Sequence, residues 1–270
     1  MSVSTEGPLS MIKLILNTTI ALAAVAIAAP ASAQISGFGD GTGFTVNKSA
    51  NAPAGAGAFS SGTLTLTTAN NDLAVSVYSN TRQQYSLGFT ASFTYLGTNG
   101  ADGFVFVLHN DDINALGDSG GERGYTDSSG KAGSTSPVSP SVGIVTSIFG
   151  SDQIGKGVNG VQSELTGPGF DLTAGAINYT ITYNPAVAAD ALNVSATNGT
   201  TTFNRSFTVG NPATVLGSPT AFVGFTGGTG GSTSNQQISN FSYTPVPEPS
   251  TLGLLGLTTI GVAALRRRRS

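Results

Sequence analysis

Gly100-Ala101-Asp102-Gly103-Phe104-Val105-Phe106-Val107-Leu108-His109-Asn110-Asp111 is the stretch that decides the fold. Gly103 to Leu108 runs apolar without alternation, between a polar turn and a polar exit. A short run of aromatic and β-branched residues reads as a strand, and the missing alternation reads as a strand covered on both faces. Ala221-Phe222-Val223-Gly224-Phe225 is a second run of this kind, so both are expected at the centre of a sheet.

Moving outward, the remaining strand signals alternate. Thr63–Thr67, Leu73–Tyr78, Leu87–Tyr95, Tyr179–Tyr183, Leu192–Ser195 and Phe203–Val209 place apolar or aromatic side chains at every second position. Such runs fit strands with one face buried and one wet. Gly and Asn/Ser clusters separate them, and Asn198-Gly199 between two runs is a hairpin signal. Nothing between the two ends has helical periodicity. The expected class is all-β, a sandwich of antiparallel sheets.

Composition narrows the function. Only 9% of the 270 residues are charged, there are 37 glycines, and there is no cysteine. That excludes disulfides, thiolate metal sites and thiol nucleophiles. Between Gln34 and Ser250, six basic residues stand against 13 acidic ones, a balance of −7. An acidic surface repels phosphate backbones, so no nucleic-acid partner is expected.

Both ends carry processing signatures. Lys13 precedes an apolar run from Leu14 to Ala29, and Ala31-Ser32-Ala33 has the small-x-small form of a signal-peptidase site, with cleavage between Ala33 and Gln34. At the other end, Val246-Pro247-Glu248-Pro249-Ser250 leads into the 15-residue apolar run Thr251–Leu265 and then Arg266–Arg269. The run is short for a bilayer span of about 20 residues, but arginine side chains can snorkel and lengthen it. Basic residues stay on the cytoplasmic side, which places the central region outside. The expected organisation is a signal peptide at 1–33, a β-sandwich at 34–245 and a sorting signal at 246–270. The sandwich would be flanked by an N-terminal signal helix and a C-terminal transmembrane helix.

Two resemblances add to this reading. The tail is similar to the PEP-CTERM sorting signal of Gram-negative bacteria. That implies cleavage near Pro247-Glu248-Pro249 by an exosortase-type membrane protease, with membrane contact through the apolar helix before cleavage. The opening stretch resembles the Ala-Asp-Gly signature of L-type, legume-lectin-like lectins. Ala115-Leu116-Gly117 through Gly120-Gly121 to Gly124-Tyr125 resembles the family's Gly-rich loop. Ser139–Ile144 resembles its next strand, and Ala221–Gly231 its late strand and loop. The likeness implies a concanavalin-like jelly roll with sugar bound by loops at one end. It gives Asp102 the bidentate hydroxyl contact, often after a cis Ala-Asp bond. Gly120 and Gly121 receive the backbone-donor role, and Gly228 and Thr229 the late-loop contacts. The residue types suit this chemistry: a carboxylate accepts two hydroxyl hydrogen bonds, and glycines let backbone amides approach a ring closely.

One departure matters. The family's E-x-D-x-Y-x-N set for calcium and a transition metal reads here as Val145, Ser147, Phe149 and Ser151. Hard cations need several oxygen ligands, usually carboxylates. Asp111, Asp112, Asp118 and Asp152 are the nearby acids. Counted from Asp112 as an EF-hand loop, Leu116 holds the fifth place and Arg123 the twelfth, where a glutamate is required. No cofactor is therefore expected, the alternative being a looser calcium site on these acids without the family's ligands. His109, the one histidine, belongs to a strand end and reads as structural.

Catalysis has little to stand on. Glycosidases need two carboxylates about 5–10 Å apart, and neither Glu122 nor Glu164 has an acid at the spacing such enzymes use on one strand. There is no Gly-x-Ser-x-Gly elbow. The expectation is a non-enzymatic exported protein that binds a glycan or exopolysaccharide at the cell surface or in the extracellular matrix. The alternative is a structural matrix protein with the same fold and no sugar.

Overall fold

The computed structural model describes residues 34–247, except 99, 129–132, 134 and 135. The signal segment with Ala33 and the tail from Glu248 onward, with Pro249, lie outside the described residues.

In chain order the strands are β1 (Ile35–Ser36), β2 (Phe44–Lys48), β3 (Ala58–Ser60), β4 (Thr63–Thr67), β5 (Ala74–Ser79), β6 (Gln83–Gln84), β7 (Phe89–Gly97) and β8 (Gly103–His109). After a one-turn 3-10 helix at Gly120–Glu122 come β9 (Ser141–Ser147), β10 (Gln153–Val158), β11 (Val161–Thr166), β12 (Ile177–Tyr183), β13 (Ala191–Thr197) and β14 (Thr202–Thr208). The short helix α1 (Pro212–Leu216) precedes β15 (Thr220–Gly228) and β16 (Gln236–Pro245).

These form two antiparallel sheets. One runs β14-β13-β12-β7-β16-β4-β3, with β1 added on β16; the other runs β11-β10-β9-β8-β15-β5-β2, with β6 added on β15. The two non-alternating runs, β8 and β15, lie side by side in the middle of the second sheet, with Phe225 opposite Phe106. Their lack of alternation has a direct cause. Phe104, Phe106 and Leu108 enter the core between the sheets, whereas Val105 and Val107 pack on the outer face with Tyr78, Tyr125, Val138 and Val145. Loop residues Ile113 and Ala115 cover that second cluster.

The first sheet keeps one face wet. Along β7, Phe89, Ala91, Phe93 and Tyr95 are buried, with more accessible residues between them. Phe93 stacks on Tyr179 at 4.9 Å and meets Phe225 edge-on at 4.9 Å, so aromatic side chains tie the two sheets together. Two of the buried tyrosines that bridge to neighbouring segments find partners for their hydroxyls: Tyr179 with Thr146 at 3.1 Å, and Tyr243 with the Gln84 carbonyl at 2.9 Å.

The Asn198-Gly199 hairpin joins β13 to β14, but as a four-residue loop. Thr197 pairs with Thr202, and the Asn198 side chain accepts from the amides of Thr200 and Thr201. Helix α1 carries no periodic signal. Asn211 caps it by accepting from the Ala213 amide at 2.9 Å, Pro212 opens it, and Gly217 in the left-handed region closes it. At five residues it is too short for periodicity to register.

Candidate functional site

The site is built at the N-terminal end of β8, where the sheet's central strand meets three loops. The Ala101–Asp102 peptide is cis. The Asp102 amide donates to the Gly228 carbonyl at 3.1 Å, which ties the turn to the end of β15. The Asp102 carbonyl accepts from the Ile148 amide at 3.1 Å, which ties it to the segment after β9. Gly103 has a φ of +122°, and a Cβ there would lie 2.0 Å from the Thr146 carbonyl oxygen, so only glycine fits this crossing.

The carboxylate of Asp102 lies between two glycine turns. A Cβ on Gly230 would come within 3.2 Å of Asp102 Oδ2 and 3.3 Å of the Gly120 Cα. Gly120 in turn donates its amide to the Thr229 carbonyl at 2.9 Å. The structure thus brings Asp102, the Gly120–Gly121 turn and the loop after β15 together. Asp102 is only 5% exposed, while Gly121 and Gly231 stand at the surface.

Two of the residues expected in contact roles stand behind the site. Gly228 is still part of β15, and its carbonyl accepts from Asp102 and, at 3.0 Å, from the Gln236 side chain. Thr229 is fully buried; its hydroxyl donates to the Asn70 carbonyl at 2.6 Å and accepts from the Leu73 amide at 3.1 Å. That hydroxyl is committed internally, so Thr229 supports the loop and does not reach an outside ligand. The strand runs further than the sequence pattern showed, and the reachable positions become Gly230 and Gly231.

Two other residues were not read as part of the site. Phe149 directly follows the Ile148 that holds Asp102, and it is 56% exposed. A large exposed aromatic on the segment that bonds Asp102 offers a flat apolar surface of the kind that packs on a small ring. Arg123 ends the 3-10 turn with a φ of 56° and is 6% exposed. Its guanidinium donates to the carbonyls of Asp102 and Gly121 and to the side chains of Ser147 and Gln162.

The metal that the resemblance implies does not fit these residues. Val145 is buried in the outer apolar cluster, Ser147 faces the Arg123 guanidinium, and Phe149 and Ser151 are exposed. The nearby acids already accept main-chain hydrogen bonds. Asp111 accepts from the Ser139 amide, Asp112 from Asn114, Asp118 from the Ser128 amide and Asp152 from the Leu172 amide. Among the described residues no three metal-ligating side chains cluster. A bound ion stabilises the native state in proportion to its occupancy. The melting temperature is therefore expected to move by less than about 2 °C between about 5 mM calcium and chelator, where roughly 2–4 °C corresponds to 1 kcal/mol at this size. A shift several times larger in a thermal scan would reveal a metal site.

Elsewhere, Glu164 sits on the edge strand β11, where it pairs with Lys156 at 2.5 Å and Arg205 at 3.7 Å. An open depression of about 430 Å³ crosses the outer face of β12–β14, lined by Thr180, Thr182, Asn193 and Arg205 among others. It holds no carboxylate among its lining residues. No helix among the described residues is long and apolar enough to cross a membrane.

The two-sheet jelly roll is the fold of the legume lectins. A lectin from Bauhinia forficata, solved in complex with GalNAc, matches with a TM-score of 0.63 at 18% identity, over 79% of this chain and 97% of that one. The metal-free form of lectin I-B4 from Griffonia simplicifolia matches at 0.58 and 17% identity, over 79% and 99%. Arcelin-5, a lectin-like defense protein from Phaseolus vulgaris, matches at 0.57 and 17% identity, over 75% and 98%. Residues 245–269 match the PEP-CTERM protein-sorting motif, which marks the chain for export and sorting to the cell envelope. No curated protein sequence matches the chain.

Proposed function

We propose that this is an exported carbohydrate-binding protein, displayed on the surface or in the exopolysaccharide matrix of a Gram-negative bacterium. The observation that carries the reading is the Asp102 carboxylate, held between the Gly120 and Gly230 turns, with the exposed Phe149 on the segment whose Ile148 amide bonds the Asp102 carbonyl. Asp102 accepts two sugar hydroxyls, amides of the Gly120–Gly121 and Gly230–Gly231 turns approach the ring, and Phe149 covers an apolar ring face. Gly228 and Thr229 hold the late loop in place. Charge-assisted hydrogen bonds give the anchor its strength, and aromatic area supplies the rest.

A second reading has one observation in its favour. Val145 and Phe149 cannot supply the metal ligands that the resemblance implies, so the protein could keep the fold as a structural matrix component without sugar. A glycan array probed with and without chelator separates the two. The lectin reading expects selective binding that survives chelation; the structural reading expects none.

Processing follows from the two ends. Signal peptidase cuts between Ala33 and Gln34, and an exosortase-type protease cuts near Val246-Pro247-Glu248-Pro249 after the apolar helix has held the chain in the membrane. The intact mass of the surface form is expected to fit a chain that starts at Gln34 and ends near Pro247 to Pro249. A mass that includes Arg266–Arg269 would make the tail a permanent anchor.

A further inference from the structure

We propose that the buried guanidinium of Arg123 is a built-in cation that orders the Asp102 site, in the place of the metal ion the sequence resemblance implies. Four acceptors from four separate parts of the chain converge on it. Nε donates to the Asp102 carbonyl at 3.0 Å, and the terminal nitrogens donate to the Gly121 carbonyl, Gln162 Oε1 and Ser147 Oγ. These acceptors belong to the turn before β8, the 3-10 turn, β11 and the end of β9. Each is a neutral oxygen. Such a set is poor for a divalent cation, which needs carboxylates to offset its dehydration. It suits an arginine, whose planar head presents five donors in a fixed fork.

The backbone is shaped to deliver this side chain. Arg123 takes the left-handed conformation, with its amide bonded to the Gly120 carbonyl at 2.9 Å. A Cβ on Gly103 would lie 3.1 Å from Arg123 Nε, and one on Gly228 would lie 3.0 Å from the Arg123 Cα. Gly103 therefore makes room for the guanidinium, and Gly228 for the Arg123 backbone. Burial draws its pKa down to about 10, against the opposing charges of Asp102 and Glu122, so it stays a cation at neutral pH. Arg123 is a positioning residue: it grips the Asp102 carbonyl at the turn whose carboxylate lies against Gly230. Arg123 does the same whatever ligand the site takes, so a failed glycan screen would leave this inference standing.

Amide hydrogen exchange on the purified protein reads the order of the site directly. The reporters are the amides of Asp102, Gly120 and Ile148, which bond the carbonyls of Gly228, Thr229 and Asp102. With Arg123→Met, a near-isosteric loss of charge and donors, all three are expected to exchange roughly tenfold faster, while Phe93 and Tyr179 in the first sheet keep their protection. Arg123→Lys, which keeps the charge without the fork, is expected to fall between. Chelator is expected to leave the wild-type protein unchanged. If Arg123→Met does not fold, Arg123→Lys decides alone: faster exchange confined to the three reporters supports the role, and unchanged exchange overturns it. The proposal is also overturned if a folded Arg123→Met exchanges like wild type, if the lysine variant is no better than methionine, or if chelator loosens the wild-type reporters.

Discussion

Acidification from pH 7 to pH 4 is expected to destabilise the folded domain by about 3 kcal/mol through His109 alone. The ring lies at the end of β8, fully buried, with its centroid 4.0 Å from that of Tyr78 and 5.5 Å from that of Phe222. Neither ring nitrogen has a hydrogen-bond partner among the described residues. Burial is the main reason its pKa falls from 6.5 to about 3; Arg82 adds to the drop and Asp112 opposes it. The folded pKa is depressed, so the unfolded chain binds a proton that the folded chain refuses. Stability is therefore intact above about pH 6.5 and is lost as pH falls toward 3, at about 1.4 kcal/mol per pH unit. At this size that amounts to a fall of roughly 6–12 °C in melting temperature by pH 4. His109→Leu removes the titrating group, and its melting curves at pH 7 and pH 4 should differ by correspondingly less. Equal losses in the two proteins would show that the acid sensitivity comes from carboxylates.

Asp102→Asn is expected to weaken sugar binding by roughly 10- to 150-fold, the equivalent of about 1.5–3 kcal/mol for a hydrogen bond to a charged group. The substitution preserves shape and leaves intact the main-chain bonds of residue 102 to Gly228 and Ile148. An amide carries no charge and offers one acceptor oxygen where the carboxylate offers two. Titration calorimetry against the best array ligand checks the affinity, and circular dichroism checks the fold. Unchanged affinity in a folded variant would move the site away from the head of β8.

Much of the fold was legible because its strongest signals are local. β4 spans the same residues as its Thr-Leu alternation, and the apolar runs of β8 and β15 did mark strands covered on both faces. β16 was not legible. Its pairing with β7 slips between Ser239 and Ser242, and Asn240 takes a φ of 53°, so Ile238, Phe241 and Tyr243 reach the core at a spacing of three and then two. A break in phase of this kind defeats an alternation test. β10 is diluted by Gly155 and Gly157, and β11 is an edge strand with little to bury.

Legibility of the site divides along the same line. Asp102 stands out because its Ala-Asp-Gly turn is contiguous with the apolar run. The extent of β15 was less legible, because the strand continues through Gly227 and Gly228, which read as the start of a turn. Arg123 gave no signal at all: it is a single arginine in a glycine-rich turn. Its partners lie 21, 24 and 39 residues away, and only the sheet topology brings Asp102, Ser147 and Gln162 to it.

The most direct test of a sugar site at the head of β8 is an NMR titration of the labelled protein, in chelator, with the best glycan-array ligand. The predicted result is a saturable shift of the amide signals of Gly121, Gly230, Gly231 and Phe149, with those of β13 and β14 unmoved. Saturable shifts confined to β12–β14, or none with any array sugar, would contradict the account.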